Sequence, residues 1–264
     1  MRPADPPMTH EEAEDPMHIR AAKTLAGALT IVLTAALIAS VVAGSAAAGA
    51  GVGTVKVADG LNGPAAFTFT PKGTIVYLER ATGVVRFRNP TTDFDRLFFR
   101  IRGVSGAGER GALGVALHSR WPEKPFVYVY VTRRADGRLR NQIVRIRDRG
   151  GRGAGLTTIL ATPASSSPYH NGGRIMFGPD GKLYAIVGDG HNARNAQDRT
   201  GNLRGKILRM NPDGSVPGTN PMIGGRRSRI FAYGIRNSFG FTFDPAQGNL
   251  WETENGSECY VEIN

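Results

Sequence analysis

The feature that most constrains this chain is a loose internal repeat of strand, turn and strand. In each unit a short apolar strand leads into a turn containing proline, and a second strand bearing an aromatic residue follows. The four turn prolines lie 51, 57 and 66 residues apart, at Pro71, Pro122, Pro179 and Pro245. Proline presets φ in such turns, and glycine takes the positive-φ position. A period of this length, with about four strands in each unit, is typical of β-propeller blades.

The repeat therefore predicts an all-β propeller with about four blades. The 35 glycines and 16 prolines interrupt every apolar run after residue 48, so no helix is expected there. Further strands are expected at Val84–Arg88, Gln142–Arg147 and Lys206–Met210. A β-sandwich with loose repeats is the alternative architecture.

The first 48 residues have the order of a secretory signal peptide. Arg20 and Lys23 precede an apolar helix predicted from Leu25 to Val42, and the small residues 45–48 then match a cleavage site. The apolar stretch is 18 residues long, so an uncleaved signal anchor in the membrane is the alternative. Both interpretations divide the chain into an export segment, residues 1–48, and a propeller domain, residues 49–264. Both also place that domain outside the cytoplasm, in the extracellular or periplasmic space.

Charge and cysteine content narrow the classes of partner. The chain has 33 Lys and Arg against 22 Asp and Glu, a formal charge of +11. Its arginines lie singly at alternating positions such as Arg86, Arg88, Arg145 and Arg147, which is typical of the solvent faces of strands. No nucleic-acid-binding motif accompanies them, so nucleic acid is not predicted as a partner. Cys259 is the only cysteine, which excludes an internal disulfide and a cysteine-based metal site.

The chemistry concentrates between Tyr169 and Asp189. His170 precedes a short apolar strand, a Pro-Asp-Gly turn follows, and a second strand from Lys182 to Val187 leads to Asp189. If the two strands pair as a hairpin, His170 and Asp189 lie at the same open end of the sheet. The ordinary pKa of histidine suits a general base, and a carboxylate can orient its ring. A turn histidine with a capping aspartate is the alternative, and His191 raises a metallohydrolase alternative that no further ligands support.

Four motifs in this chain resemble those of the soluble quinoprotein glucose/sorbosone dehydrogenase family. They are Gly108–His118, Tyr169–Arg174 with Gly188-Asp189, Leu203–Gly214, and Ala232–Asn237 with Leu250–Glu254. Their order and spacing agree with the family over residues 55–264.

The resemblance implies a six-bladed propeller that binds pyrroloquinoline quinone (PQQ) with Ca²⁺. Its implied activity is oxidation of the anomeric hydroxyl of an aldose sugar by hydride transfer to PQQ, followed by electron transfer to an external acceptor. At the matching positions, His170 is implied as the base, Asp189 as its partner and Arg236 as the cation that stabilises the developing oxyanion. The implied cofactor contacts are Glu109, His170, Arg236, Asn237 and Asn255.

The calcium ligands implied by the resemblance follow the last motif. They are the backbone carbonyls of Gly256 and Ser257 and the carboxylate of Glu262, and oxygen donors suit this hard ion. Two positions depart from the family pattern. Ser238-Phe239-Gly240 stands where the family usually continues Pro-Gln-Gly, and Val261 stands where relatives carry an acidic residue.

The chain also ends within its fourth unit, at Asn264. We therefore expect a C-terminally truncated family member, without the last two of six blades, that folds poorly and binds PQQ weakly on its own. An exported PQQ-dependent aldose dehydrogenase is the first functional hypothesis, because His170, Asp189 and Arg236 occur together. A non-catalytic propeller that acts as a binding module, or an inactive fragment, is the alternative.

Overall fold

The computed structural model describes residues 53–92, 94–257 and 261–264, so the export segment predicted over residues 1–48 lies outside the described residues. Residues from Lys56 onward cluster as one unit. Among the described residues, no helix has the length and apolar character needed to cross a bilayer.

The described strands form successive antiparallel sheets of consecutive strands, which confirms the predicted four-bladed arrangement. Blade 1 contains β1 Pro64–Phe69, β2 Ile75–Glu79, β3 Val84–Asn89 and β4 Phe94–Arg100. Blade 2 contains β5 Ala112–Leu117, β6 Phe126–Ala135, β7 Arg138–Asp148 and β8 Gly153–Pro163. Blade 3 contains β9 Ile175–Phe177, β10 Leu183–Val187, β11 Lys206–Met210 and β14 Ile230–Tyr233. Blade 4 has three described strands, β15 Gly240–Phe243, β16 Leu250–Asn255 and β17 Val261–Ile263.

Two short insertions in blade 3 differ from the sequence prediction. A single helical turn, α1 Arg194–Gln197, lies between β10 and β11, where no helix was expected. It is too short to produce a helical period in the sequence. A small hairpin of β12 Met222–Ile223 and β13 Arg226–Arg227 lies between β11 and β14.

The central strands of blades 2 and 3 are apolar on both faces because each of these two blades packs between two others. In β6, Val127, Val129 and Val131 belong to the core between blades 1 and 2. The alternating residues Tyr128 and Tyr130 belong to the core between blades 2 and 3. Successive side chains of a strand point to opposite faces, so one strand supplies both cores. Each such side chain stabilises the fold by about 1.5–3 kcal/mol when fully buried.

The strand topology gathers certain loops at one end of the blades. In an antiparallel hairpin, the residue before the first strand and the residue after the second lie at the same end, as the Ile175–Ala185 and Gly240–Thr253 pairs show. The first strands also adjoin from blade to blade, β1 beside β5 and β5 beside β9. The loops that precede β5, β9 and β15 therefore lie near those that follow β10 and β16. We call this the entry end.

Candidate active site

His170 and Asp189 meet at the entry end, because β9 and β10 pair as the predicted hairpin. The Nδ1 atom of His170 lies 2.8 Å from Oδ1 of Asp189, and both side chains are buried. With Asp189 ionised, Nδ1 carries the ring proton and Nε2 keeps its lone pair. His170 has a φ of 55°, a left-handed conformation that costs free energy outside glycine and that clusters at functional sites.

Glycine allows the His170 loop to lie against strand β10. A Cβ on Gly172, whose φ is 70°, would lie 2.5 Å from the carbonyl oxygen of Ile186. A Cβ on Gly188 would lie 2.5 Å from the carbonyl oxygen of His170. Only backbone without side chains fits on both sides of this contact. The Asn-Gly-Gly sequence after His170 therefore sets how closely the histidine approaches Asp189.

Asn171 anchors the same loop to blade 2, a role that sequence reasoning missed. The side chain is buried, and its Oδ1 accepts hydrogen bonds from Ser165 N and Asn141 Nδ2, each at 3.1 Å. The hydroxyl of Tyr130 donates to the backbone carbonyl of Asn171 at 2.7 Å. All three partners come from β6, β7 and the segment after β8, so blade 2 fixes the residue next to His170.

Glu109 joins three blades through one carboxylate oxygen. Its Oε2 accepts from the backbone N of His170 at 2.8 Å and from Nδ2 of Asn237 at 2.9 Å. Glu109 precedes β5, His170 precedes β9 and Asn237 precedes β15. The sequence prediction for Glu109 was a cofactor contact, which stays a prediction. The structure shows that one of its oxygens holds the loops of blades 3 and 4.

Blade 4 brings Arg236 and Asn237 to the same end. Their backbone N–H groups donate to the two oxygens of Glu254, at 3.0 and 2.9 Å. Burial raises the pKa of the Glu254 carboxyl, although these N–H groups act in the opposite direction. Arg236 Nη1 donates to the carbonyl of Asn255 at 2.8 Å, and Asn255 Nδ2 donates to the carbonyl of Asn237 at 3.1 Å.

A backbone hydrogen bond connects the two groups of residues. The N–H of Asp189 donates to the carbonyl of Arg236 at 2.8 Å. We refer to Glu109, His170 and Asp189 as the histidine half of the site. Arg236, Asn237, Glu254 and Asn255 form the arginine half. The structure therefore brings together every residue predicted as catalytic or as a cofactor contact.

The structure does not bring the predicted calcium ligands together as it does the predicted catalytic and cofactor-binding residues. Gly256 and Ser257 directly follow β16 at the entry end. Glu262 lies on β17 opposite Glu254, but it is exposed, whereas Glu254 is buried. Within the described part of the chain, no group of three or more His, Cys, Asp or Glu side chains is arranged to hold a metal ion. Calcium binding therefore stays a prediction.

His191 is a further histidine beside the site. Its backbone N donates to Asp189 Oδ1 at 2.7 Å, the same oxygen that contacts His170. The two imidazole rings lie 4.8 Å apart, with 65° between their planes. The geometry is that of two rings packed edge to face next to one carboxylate.

The arrangement has the parts of an acid–base site next to a cation. The buried carboxylate of Asp189 contacts Nδ1 of His170 and so orients the imidazole ring. Nε2 remains able to accept a proton, and the same carboxylate stabilises the imidazolium that then forms. Arg236 places a permanent positive charge on the neighbouring loop, where negative charge developing on a substrate or cofactor would be stabilised.

Known proteins are similar to this chain in both sequence and fold. A family model described as Glucose / Sorbosone dehydrogenase matches residues 61–264. Quinoprotein glucose dehydrogenase B of Acinetobacter calcoaceticus is 31% identical over 238 residues, which cover 79% of this chain and 49% of that protein. Aldose sugar dehydrogenase YliI of Escherichia coli is 27% identical over 218 residues, 78% of this chain and 57% of that protein. The chain thus spans about half the length of these relatives.

Solved structures of sugar dehydrogenases are similar to this chain in fold. The PQQ-bound aldose sugar dehydrogenase of Streptomyces coelicolor matches with a TM-score of 0.72 and 34% identity, over 80% of this chain and 61% of that one. A putative oxidoreductase (glucose dehydrogenase) of Thermus thermophilus matches with a TM-score of 0.73 and 39% identity, over 80% of this chain and 63% of that one.

Proposed function

The chain belongs to the glucose/sorbosone dehydrogenase family, and from that premise we propose that it is an exported, PQQ-dependent aldose dehydrogenase. Its substrate is the anomeric hydroxyl of an aldose sugar, and an external acceptor takes the electrons. When bound together with Ca²⁺, PQQ supplies the hydride acceptor. The enzyme acts in the extracellular or periplasmic space, delivered there by residues 1–48.

The observation that carries this proposal is the buried His170–Asp189 pair, with 2.8 Å between Nδ1 and Oδ1. Oxidation of a sugar hydroxyl releases a proton as well as a hydride, so a base must stand beside the hydroxyl. Nε2 of His170 takes that proton. The carboxylate of Asp189 then stabilises the imidazolium, and the hydrogen bond from the backbone of His170 to Glu109 keeps that backbone in place. Proton transfer to a positioned base contributes about 10²–10⁴-fold to a rate.

The arginine half fits a quinone. The Oδ1 atom of Asn237 is buried and has no hydrogen-bond partner among the described residues, so it is available to a ligand. It lies beside Gly188, where a Cβ would stand 3.0 Å from it. One nitrogen of Arg236 is bound to Asn255, which orients the guanidinium and leaves other N–H groups to donate. These residues, with Glu109 and His170, would hold the cofactor.

Calcium would be held by the carbonyl oxygens of Gly256 and Ser257, with Glu262 as a third oxygen donor. All three are hard ligands, which matches the preference of Ca²⁺.

A reconstitution assay tests the proposal. The purified chain is incubated with CaCl₂ and with PQQ in large excess, because weak PQQ binding is expected. Reduction of a redox dye is then followed over a panel of aldoses. We expect aldose-dependent dye reduction that needs both additions and that falls about 10³-fold in His170→Gln. His118→Gln is the matched control, because His118 lies outside the candidate site. Its Nδ1 accepts a bond from the backbone N of Arg120 in a turn, and its ring packs beside Phe177. Wild-type chain that reduces no dye with any aldose, or His170→Gln with unchanged activity, would overturn the proposal.

A further inference from the structure

Lys206 is a charged side chain with no solvent exposure, on the first residue of β11. Its ammonium donates to three backbone carbonyls, those of Asn195 at 2.5 Å, Ala196 at 3.0 Å and Arg204 at 2.8 Å. An ammonium has three N–H donors, so every donor is satisfied. In the part of the chain that the structure describes, no carboxylate forms a salt bridge with it.

The three acceptor carbonyls all belong to the loop that leads from Asp189 to β11. Two of them, on Asn195 and Ala196, lie in the single helical turn α1. A four-residue turn does not hold itself, because helix nucleation is unfavourable, and its N-cap residue, Ala193, makes no side-chain capping bond. At this end only Arg194 N is bound by a side chain among the described residues, that of Asn192 at 3.2 Å. The ammonium of Lys206 satisfies carbonyls that such a turn leaves open. Lys206 therefore helps to fix the shape of this loop, together with the backbone N–H of Gly234, which also donates to the carbonyl of Ala196.

The loop in turn touches the histidine half of the site. Nδ2 of the buried Asn195 donates to the backbone carbonyl of Asp189 at 2.7 Å. Asp189 Oδ1 lies 2.8 Å from His170 Nδ1. Lys206, Asn195, Asp189 and His170 thus form one continuous series of contacts. No link in it is longer than a hydrogen bond.

Burial of this charge has a free-energy cost that a purely packing role would not need. Removal from water lowers the pKa of Lys206 to about 8, partly opposed by Asp198, which lies in the same loop. A methionine or leucine would fill the space without that cost. It would leave the carbonyls of Asn195 and Arg204 without a donor, whereas the carbonyl of Ala196 would keep the N–H of Gly234 at 3.0 Å.

We propose that Lys206 is a positioning residue for the His170–Asp189 pair, acting through Asn195. Its ammonium holds α1 so that the amide of Asn195 fixes the backbone of Asp189, and with it the carboxylate that orients His170. The importance of this for catalysis rests on the proposed function; the positioning itself does not.

The test compares Lys206→Met with Lys72→Met, the same substitution at an exposed lysine in a turn of blade 1. Two readouts need no cofactor. The first is the NMR signal of the His170 Nδ1 proton, which we expect to shift or broaden in Lys206→Met alone. The second is amide hydrogen exchange, which we expect to accelerate at least about tenfold over residues 190–205 while β6 and β10 stay protected.

In the reconstituted enzyme we expect kcat to fall by up to about 10²-fold in Lys206→Met with KM for the aldose little changed, because the base is misplaced rather than lost. If wild type shows no activity, the proposed function fails, but the NMR and exchange readouts still decide the role of Lys206.

A second variant covers the case in which Lys206→Met does not fold. Asn195→Ala keeps the ammonium and its backbone acceptors. It removes the connection to Asp189, together with the hydrogen bonds that Asn195 Oδ1 accepts from Asn202 and Arg204. The same change in the His170 signal is expected. The proposal is wrong if the His170 signal and the exchange of residues 190–205 match wild type in Asn195→Ala. It is equally wrong if Lys206→Met lowers the melting temperature alone.

Discussion

The histidine half and the arginine half of the site have hydrogen bonds of similar length but very different supports. Blades 2 and 3 hold the histidine half with four-stranded sheets, and their shared core contains fully buried residues such as Leu208 and Met210. Blade 4 holds the arginine half with three described strands, and Val261 and Ile263 on β17 are 68% and 72% exposed. A polar site can therefore be well formed on one side and weakly supported on the other. The lengths of local hydrogen bonds alone do not reveal which half of the site unfolds locally first.

The largest expected effect separates the chemical roles of the two halves. Loss of the base in His170→Gln should lower kcat of the reconstituted enzyme about 10³-fold, whereas loss of the charge in Arg236→Met should lower it about 10²-fold. Steady-state kinetics with PQQ, Ca²⁺ and an aldose give both values. Arg236→Lys keeps the charge and serves as the control for it. A greater loss in Arg236→Met than in His170→Gln would reverse the assignment of roles.

A matched pair on one strand measures the two supports. In β11, Leu208 faces the core shared with blade 2, and its neighbour Ile207 faces the core shared with blade 4. Truncation to alanine costs about 2–5 kcal/mol in a well-packed core. We expect Leu208→Ala near the top of that range and Ile207→Ala near the bottom, in urea unfolding. Equal losses would show that blade 4 supports the site as well as blade 2 does.

The connection between the halves can be cut at Glu109. Glu109→Ala removes the acceptor of both His170 N and Asn237 Nδ2, and each lost hydrogen bond to a charged group is worth about 1.5–3 kcal/mol. We expect faster amide exchange at His170 and at Asn237. Glu109→Gln keeps one acceptor oxygen and should show a smaller increase. Unchanged exchange in Glu109→Ala would mean that the halves are held independently.

The last prediction is an opposite pH response of Lys206, which supports the histidine half, and of Glu254 in the arginine half. Lys206 has a folded pKa of about 8, below its ordinary 10.5, so the unfolded chain binds more protons between these values. Stability relative to Lys206→Met should therefore rise with pH across that window, by at most about 1.4 kcal/mol per pH unit. Glu254 has a raised pKa, so stability relative to Glu254→Gln should fall as pH rises from its ordinary pKa of 4.5 through the folded value.

Unfolding by urea at a series of pH values measures both differences. A slope of the same sign for the two pairs of proteins would contradict the opposite environments of the ammonium and the carboxyl group.

Sequence reasoning succeeded where the relevant contacts are local. The repeat with turn prolines predicted the blades, and the β9–β10 hairpin predicted that His170 and Asp189 would meet, because only 19 residues separate them. The predicted strand Lys206–Met210 is confirmed residue for residue, and the one at Gln142–Arg147 lengthens to Arg138–Asp148.

The rest depends on contacts that leave no period in the sequence. The bond from Asn237 to Glu109 joins residues 128 positions apart. The groups that bind Lys206 are backbone carbonyls. Every residue has a backbone carbonyl, so the sequence does not show which of them will bind a lysine. A lysine at the start of a mostly apolar strand was the available clue, since lysine is almost never fully buried without a partner.

Asn171 has a consequence for the order of folding. Its partners in blade 2, Tyr130, Asn141 and Ser165, all precede it in the chain. Blade 2 contains all four of its strands before the histidine loop begins, so the loop can dock onto a sheet that is already complete. The part of the site that carries the base is in this way shaped by a surface that earlier residues form.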